Sequence, residues 1–289
     1  MARKLQTQPV EDFRIDFEDG YGQHSATEED DDAAAAGRAL ADCAEPPPRV
    51  GLRVKPMRWP ERVARTLDRF LEPLAGWSTP LVLTLPKVEE LSEIEGLIRL
   101  LEPLEGRLRL CPLELELMVE SPRGLATLPD WLGTARDRCR AVHLGPYDFL
   151  ASCGILDPEF AHPLLDAARA QIVFQLPRSV WLADGPTTRL PLGDSVEAGW
   201  DAHRRDILHS QRLGFHQSWD LHPAQLVSRY RTVFGLFRER FPEVKARIDH
   251  FRAQAEQATA LDSQFDDFAT VRSLEAFLER GLACGALDS

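Results

Sequence analysis

Short apolar runs alternate along this chain with longer stretches whose apolar residues recur at helical spacing. The runs cover residues 13–17, 50–54, 81–85, 113–119, 141–144, 179–183 and 215–221. Each has strand length, and most are rich in leucine or β-branched residues, the composition of buried parallel strands. Between them, residues 28–41, 60–74, 88–101, 157–174 and 196–213 read as amphipathic helices. The first has acidic residues in its opening turn and Ser25 and Thr27 as candidate caps. Strand and helix in alternation predict an α/β fold with a parallel sheet.

A polar residue closes each strand: Asp19, Arg53, Lys87, Glu120, Asp148, Asp184 and His222. They recur roughly every 28 to 38 residues, against about 31 per unit in a (β/α)8 barrel. Charged groups at the C-terminal ends of consecutive parallel strands converge on one mouth, so residues 1–226 are expected to form a TIM-type barrel. From about residue 226 the strand signal stops. Three helical stripes follow, led by Leu226, Val244 and Phe268, and predict a helical extension over 227–289. It either closes the base or flank of the barrel or serves as a lid or oligomer arm.

Only seven strands are visible, the first close to the start of the chain, whereas a closed barrel needs eight. The expectation is therefore a barrel lacking its first βα unit, with residues 2–5 as the end of the preceding helix. Such a barrel has two unpaired edges and should be less stable than a closed one.

Charge narrows the function. The 289 residues carry a net charge of −12, which argues against nucleic acid as a partner. No apolar run is long enough for a membrane span and no signal peptide opens the chain, so a cytoplasmic protein is expected. The five cysteines are scattered and suit a reducing compartment. Neither a Gly-rich phosphate loop nor H-E-x-x-H is present.

Among the strand-closing residues, Glu120 and Asp148 end adjacent strands. Together they can hold a hard cation such as magnesium, or they can cap the helices that follow. Arg53 can bind a substrate carboxylate or a developing enolate oxygen, or it can pair with Asp16 or Glu18. Lys87 is a candidate nucleophile or an ion-pair partner. Glu18 and Asp19, at a sharp turn, can accept hydrogen bonds from metal-bound water. His222 stands after the last strand, while His162 and His203 read as surface or capping residues.

In order and spacing, Asp16-Phe17-Glu18-Asp19, Arg53, Leu85-Pro86-Lys87-Val88, Val119-Glu120-Ser121-Pro122, Gly145-Pro146-Tyr147-Asp148 and His222-Pro223-x-Gln225 form a series. That series resembles the citrate lyase β-subunit branch of the HpcH/HpaI aldolase superfamily. The strings DFEDGYG and WDLHPAQL mark a subgroup of it. The resemblance implies a magnesium-dependent carbon–carbon lyase on a TIM barrel, acting on a 2-oxo or 3-hydroxy acid or its acyl-CoA thioester. By motif it implies Glu120 and Asp148 as metal ligands and Arg53 as the substrate-binding arginine. Glu18 and Asp19 would hold metal-bound water, with Lys87 and Gln225 supporting the mouth. Asp19 and His222 are the candidates for proton transfer, and the family habit implies a homo-oligomer. The pyruvate-aldolase branch is less similar, since it carries a catalytic histidine where Asp19 stands. The alternative function is a metabolite-binding barrel of the same family without turnover.

Overall fold

The computed structural model describes residues 1–254, 258–261 and 264–288. In chain order its elements are α1 (Ala2–Thr7), β1 (Asp12–Asp16), α2 (Ala26–Ala41), β2 (Arg49–Arg53), α3 (Pro60–Leu71), β3 (Leu81–Leu85), α4 (Leu91–Leu108), β4 (Glu114–Val119) and α5 (Pro122–Ala135). There follow β5 (Cys139–Leu144), α6 (Pro146–Ser152), α7 (Pro163–Gln175), β6 (Trp181–Asp184), α8 (Val196–Arg212), β7 (Gln217–Ser218), α9 (Gln225–Ala253), β8 (Thr259–Leu261), β9 (Gln264–Asp266) and α10 (Phe268–Ala283). They make two compact units. One comprises Val10–Thr187 and His209–Trp219, the other Met1–Pro9, Thr188–Leu208 and Asp220–Ser289.

The first unit holds a single parallel sheet in the order β1 to β7. Side chains alternate across each strand, and here the two faces differ in kind. On one face Leu52, Leu83, Leu117 and Val142 enter a continuous core with Leu67 and Phe70 of α3, Leu97 of α4 and Trp131 of α5. The other face carries Arg14, Arg53, Thr84, Glu116 and His143. Val82, Met118 and Ala141 are buried on this second face as well, so it mixes apolar with charged groups whereas the helix-facing side is largely apolar. The sheet curls around its polar face, because Arg49 of β2 lies 3.9 Å from the centroid of Trp181 on β6. The result is the TIM-like α/β fold with seven parallel strands, its edges at β1 and β7.

Local chemistry sets the helix starts. Ser25 caps α2 in a capping box with Glu28, and Ser121 caps α5 by accepting the Gly124 N–H at 3.1 Å. Three sequence expectations need correction. β7 spans Gln217–Ser218 rather than 215–221, since Phe215 is fully buried in the helix-side core and makes no ladder pair. α4 runs on to Leu108 through Pro103, its stripe continued by Leu101 and Leu108. The first two tail stripes are one 29-residue helix, α9, through Pro242; a proline removes one backbone bond, and flanking packing can carry the helix past it.

In the second unit α9 and α10 pack along their apolar stripes. Phe237 meets Phe277 with centroids 4.8 Å apart, and Val244, Ile248 and Phe251 cluster with Val271 and Leu274. β8 and β9 form an antiparallel pair.

Candidate active site

The mouth of the first unit is built by the turns after β1, β2, β3, β4 and β5. Asp16 ends β1 and organises the turn beyond it. Its carboxylate accepts the backbone N–H of Glu18 at 2.9 Å and of Gly20 at 2.8 Å. A Cβ at Gly20 would lie 2.5 Å from Asp16 Oδ2, so a side chain here would push the Asp16 carboxylate off its place. The turn presents Glu18 inward and Asp19 outward.

Arg53, at the end of β2, is 7% exposed and makes a two-pronged pair with Asp16, Nε to Oδ1 at 2.7 Å and Nη2 to Oδ2 at 2.5 Å. Its third nitrogen, Nη1, stands 3.1 Å from Glu18 Oε2. Burial weakens the guanidinium's hold on its proton, but Asp16 and Glu18 outweigh burial and raise its pKa. Arg53 is thus a charge already held at both edges, and the ion pairs weighed for it in sequence are formed.

Lys87 follows β3 with φ of 54°, in the left-handed region. That turn aims its backbone N–H at Glu120 Oε2, 2.6 Å away. Its ammonium donates to Glu18 and to Asp19 Oδ2 at 3.0 Å, and lies 3.7 Å from Asp148 Oδ1. Burial would lower its pKa, yet Glu18 and Glu120 raise it, so the amine is a fixed cation rather than a free nucleophile.

Glu120, just past β4, is 4% exposed. Burial pushes its carboxyl up to about 8; Lys87 opposes this and Asp148 adds to it. It does not cap α5, a role Ser121 fills. Gly145 makes the space: a Cβ there would stand 2.5 Å from Glu120 Cγ and 2.7 Å from Oε1. Gly145→Ala is therefore expected to displace Glu120 and to cost about 1–3 kcal/mol by overpacking. Thermal melting checks the stability.

Asp148 lies in the first turn of α6. Oxygens of Asp19, Glu120 and Asp148 all come within 4.8 Å of one another. The structure thus brings Asp19 to the Glu120–Asp148 pair as a third carboxylate. Burial raises Glu18, whereas in Asp19 burial is outweighed by hydrogen bonding with Glu18 and Lys87, and its pKa falls.

Asp184 has no exposure and pairs with Arg169 of α7, Oδ2 to Nε at 2.8 Å, on the helix side of the sheet; its expected place in the mouth is corrected. His222 and Gln225 belong to the second unit. There Gln225 Oε1 accepts the Leu221 N–H at 2.7 Å, and His222 Nδ1 accepts the Ala224 N–H at 3.1 Å. His162 caps α7, as a capping residue should. His203 is not on the surface: it is 1% exposed, with Nε2 2.9 Å from Asp220 and Nδ1 2.7 Å from Ser228.

Sequence reasoning missed a second polar layer beneath the mouth. Glu116 is buried and accepts from Thr84 Oγ1 at 2.6 Å, with Arg14 Nε 3.5 Å away and His143 Nδ1 at 3.7 Å. Against burial, His143 and Arg14 hold the Glu116 carboxyl down to about 2. The signal was available, since Leu113-Glu114-Leu115-Glu116-Leu117 alternates strictly and places the glutamates on one face.

A family model described as a domain of unknown function, DUF6986, matches residues 1–289. The chain belongs to that family. No curated protein matches the chain in sequence. Among solved structures, the DUF6986 chain is similar to a citrate lyase from Burkholderia xenovorans LB400, with a TM-score of 0.78 at 21% identity, covering 100% of this chain and 88% of that one. A Haloferax volcanii malate synthase in a magnesium/glyoxylate complex gives 0.62 at 17% identity over 80% of this chain and 68% of that one. RipC from Yersinia pestis gives 0.55 at 19%, over 76% and 94%. At these identities the similarity establishes a shared fold, the one the sequence resemblance implies.

Proposed function

We propose that this protein is a magnesium-dependent carbon–carbon lyase of the aldolase and citrate lyase type. Its substrate would be a 2-oxo or 3-hydroxy acid, free or as an acyl-CoA thioester. The observation that carries this is the meeting of Asp19, Glu120 and Asp148 from three strand ends, their oxygens within 4.8 Å. A fold shared with a citrate lyase and with a malate synthase bound to magnesium and glyoxylate supports it. We further propose a cytoplasmic homo-oligomer, on the scattered cysteines and the family resemblance; among the described residues no helix is long and apolar enough to cross a membrane.

The residues fit the metal. All three donors are carboxylate oxygens, the hard ligands magnesium takes. Glu120, pushed up to about 8 by burial, is a carboxyl whose ionised form a divalent cation would stabilise. Glu120 and Asp148 would hold the ion, with Asp19 on its bound water, and the ion when bound would polarise a carbonyl and stabilise the enolate left as a carbon–carbon bond breaks. Arg53, locked by Asp16, keeps a positive charge at a set place beside Glu18, so no reorganisation is needed as negative charge develops. Lys87 ties the β1 turn to Glu120 and keeps the acidic cluster from flying apart when no cation is present. Asp19, the most open carboxylate of the three, is the group best placed to move a proton.

One observation favours the second reading, a binding barrel without turnover. The Lys87 ammonium already serves Glu18, Asp19 and Asp148 as an internal cation. Magnesium titration by calorimetry, followed by product analysis with a panel of 2-oxo and hydroxyacyl substrates, separates the two. The lyase requires magnesium-dependent cleavage that Glu120→Gln abolishes. Binding without any product supports the second reading, and cleavage indifferent to Glu120→Gln sinks the site assignment.

A further inference from the structure

Two groups on the polar face of the sheet have no part in the proposed chemistry. His143 of β5 is 1% exposed, and among the described residues neither of its ring nitrogens has a hydrogen-bond partner. Its ring stands edge-on to the indole of Trp219, with centroids 4.3 Å apart. The same indole carries the Arg53 guanidinium 5.1 Å from its centroid. Arg53 comes from β2 and His143 from β5, so the indole, just past β7, bridges three separated strands across the polar face. His143 lies two residues before Gly145, whose backbone packs against Glu120. One inward-facing step on a strand is about 6–7 Å, so the indole, at the level of His143, lies roughly one layer beneath the carboxylates.

We propose that Trp219 sets the length of the acid this site accepts, and that the acid carries a single charge. This rests on the function proposed above. An acid anchored at Asp19, Glu120 and Asp148 would point its far end into the lumen, where an aromatic face stops it. The guanidinium at the indole, Arg53, is already held by Asp16 and Glu18, so a second carboxylate there would find no free fork to pair with. The wall suits a short, uncharged tail. Removing the indole would free its own volume beside His143 and Arg53, room for a longer chain.

The test is calorimetry on the full chain, first with magnesium alone and then with magnesium plus glyoxylate, pyruvate, 2-oxobutyrate, 2-oxovalerate and 2-oxoglutarate. For the wild type, affinity should fall about tenfold or more between pyruvate and 2-oxovalerate, with 2-oxoglutarate weaker than 2-oxovalerate. In Trp219→Ala the drop along the uncharged series should shrink to about threefold or less while magnesium affinity stays unchanged. Trp219→Leu, which keeps an apolar filling, should fall between them, and it serves if the alanine variant melts too low to study. An unchanged length profile in both variants overturns the proposal, as does wild-type binding indifferent to length. Magnesium binding without any oxo-acid binding removes the lyase reading and this inference with it. No magnesium binding at all does the same, and the first titration tells those outcomes apart from a failure of Trp219 alone.

Discussion

Replacing Asp184 by alanine is expected to destabilise the barrel unit by about 3–5 kcal/mol, the cost of leaving a buried charge unpaired. Asp184 and Arg169 both have no exposed side-chain surface. Two parallel bonds join them, Nε to Oδ2 at 2.8 Å and Nη2 to Oδ1 at 3.1 Å. Asp184 also accepts from Ser210 Oγ at 2.6 Å and from the Gly185 N–H at 3.0 Å. Arg169 spends its remaining nitrogen on the Phe160 carbonyl at 3.0 Å and on Asp166 at 2.8 Å. Every nitrogen of the fork is thereby bonded, and β6, α7 and α8 are tied at one point. Without the Asp184 carboxylate the guanidinium loses two of its bonds in a dry site, and only the partly exposed Asp166 remains as a counter-charge. A melting temperature lower by roughly 10 °C is the expected readout for a unit of this size. Replacing both residues by apolar ones of similar volume should recover most of that loss, because the penalty lies in the orphaned charge. A drop below about 1 kcal/mol for Asp184→Ala, within the range of surface pairs, would refute this account.

Magnesium affinity should rise about tenfold per pH unit between pH 6 and 8 and then level off, since the ion and the proton compete for one carboxylate. That group is Glu120, whose pKa stands at about 8 in the folded chain against an ordinary 4.5. A carboxyl raised on folding stabilises the fold fully below its unfolded value and ceases to as pH climbs through its folded value. The metal-free protein should therefore lose stability from about pH 4.5 to 8, and added magnesium should restore it at the upper end. Melting curves across that range, with and without the ion, test both halves. In Glu120→Gln the stability slope should flatten and the magnesium effect vanish. A wild-type affinity that does not change with pH would mean that Glu120 is ionised without the metal, against the reading of its burial.

Much of the site was legible in the chain because strand ends are marked chemically. An apolar run that stops at a charged residue, repeated at barrel spacing, tells where the mouth is, and so Asp19, Arg53, Lys87, Glu120 and Asp148 could be named together. Asp184 obeyed the same pattern and misled, since side chains alternate across a strand. Being one position off sends a strand-end carboxylate to the helices instead of the mouth. Arg53 was equally ambiguous in sequence: its fork could serve substrate or neighbour, and only the geometry of Asp16 at 2.5 and 2.7 Å determines that it is held.

The sequence by itself determined the parallel order of strands and helices, because periodicity, caps and the apolar content of each run are local properties. It also determined that the mouth would be acidic, since the charges are written at the strand ends. Which charges meet was decided by tertiary structure alone. The Lys87 ammonium among Glu18, Asp19 and Asp148, and the Trp219 indole between Arg53 and His143, join residues far apart in the chain. Burial decided the rest. A glutamate at Glu120 and one at Glu116 are alike in sequence, yet desolvation beside Asp148 pushes the first up to about 8, while Arg14, Thr84 and His143 hold the second down to about 2. Side-chain ionisation depends on the dielectric and the charges within a few ångströms, and those neighbours exist only once the sheet has curled.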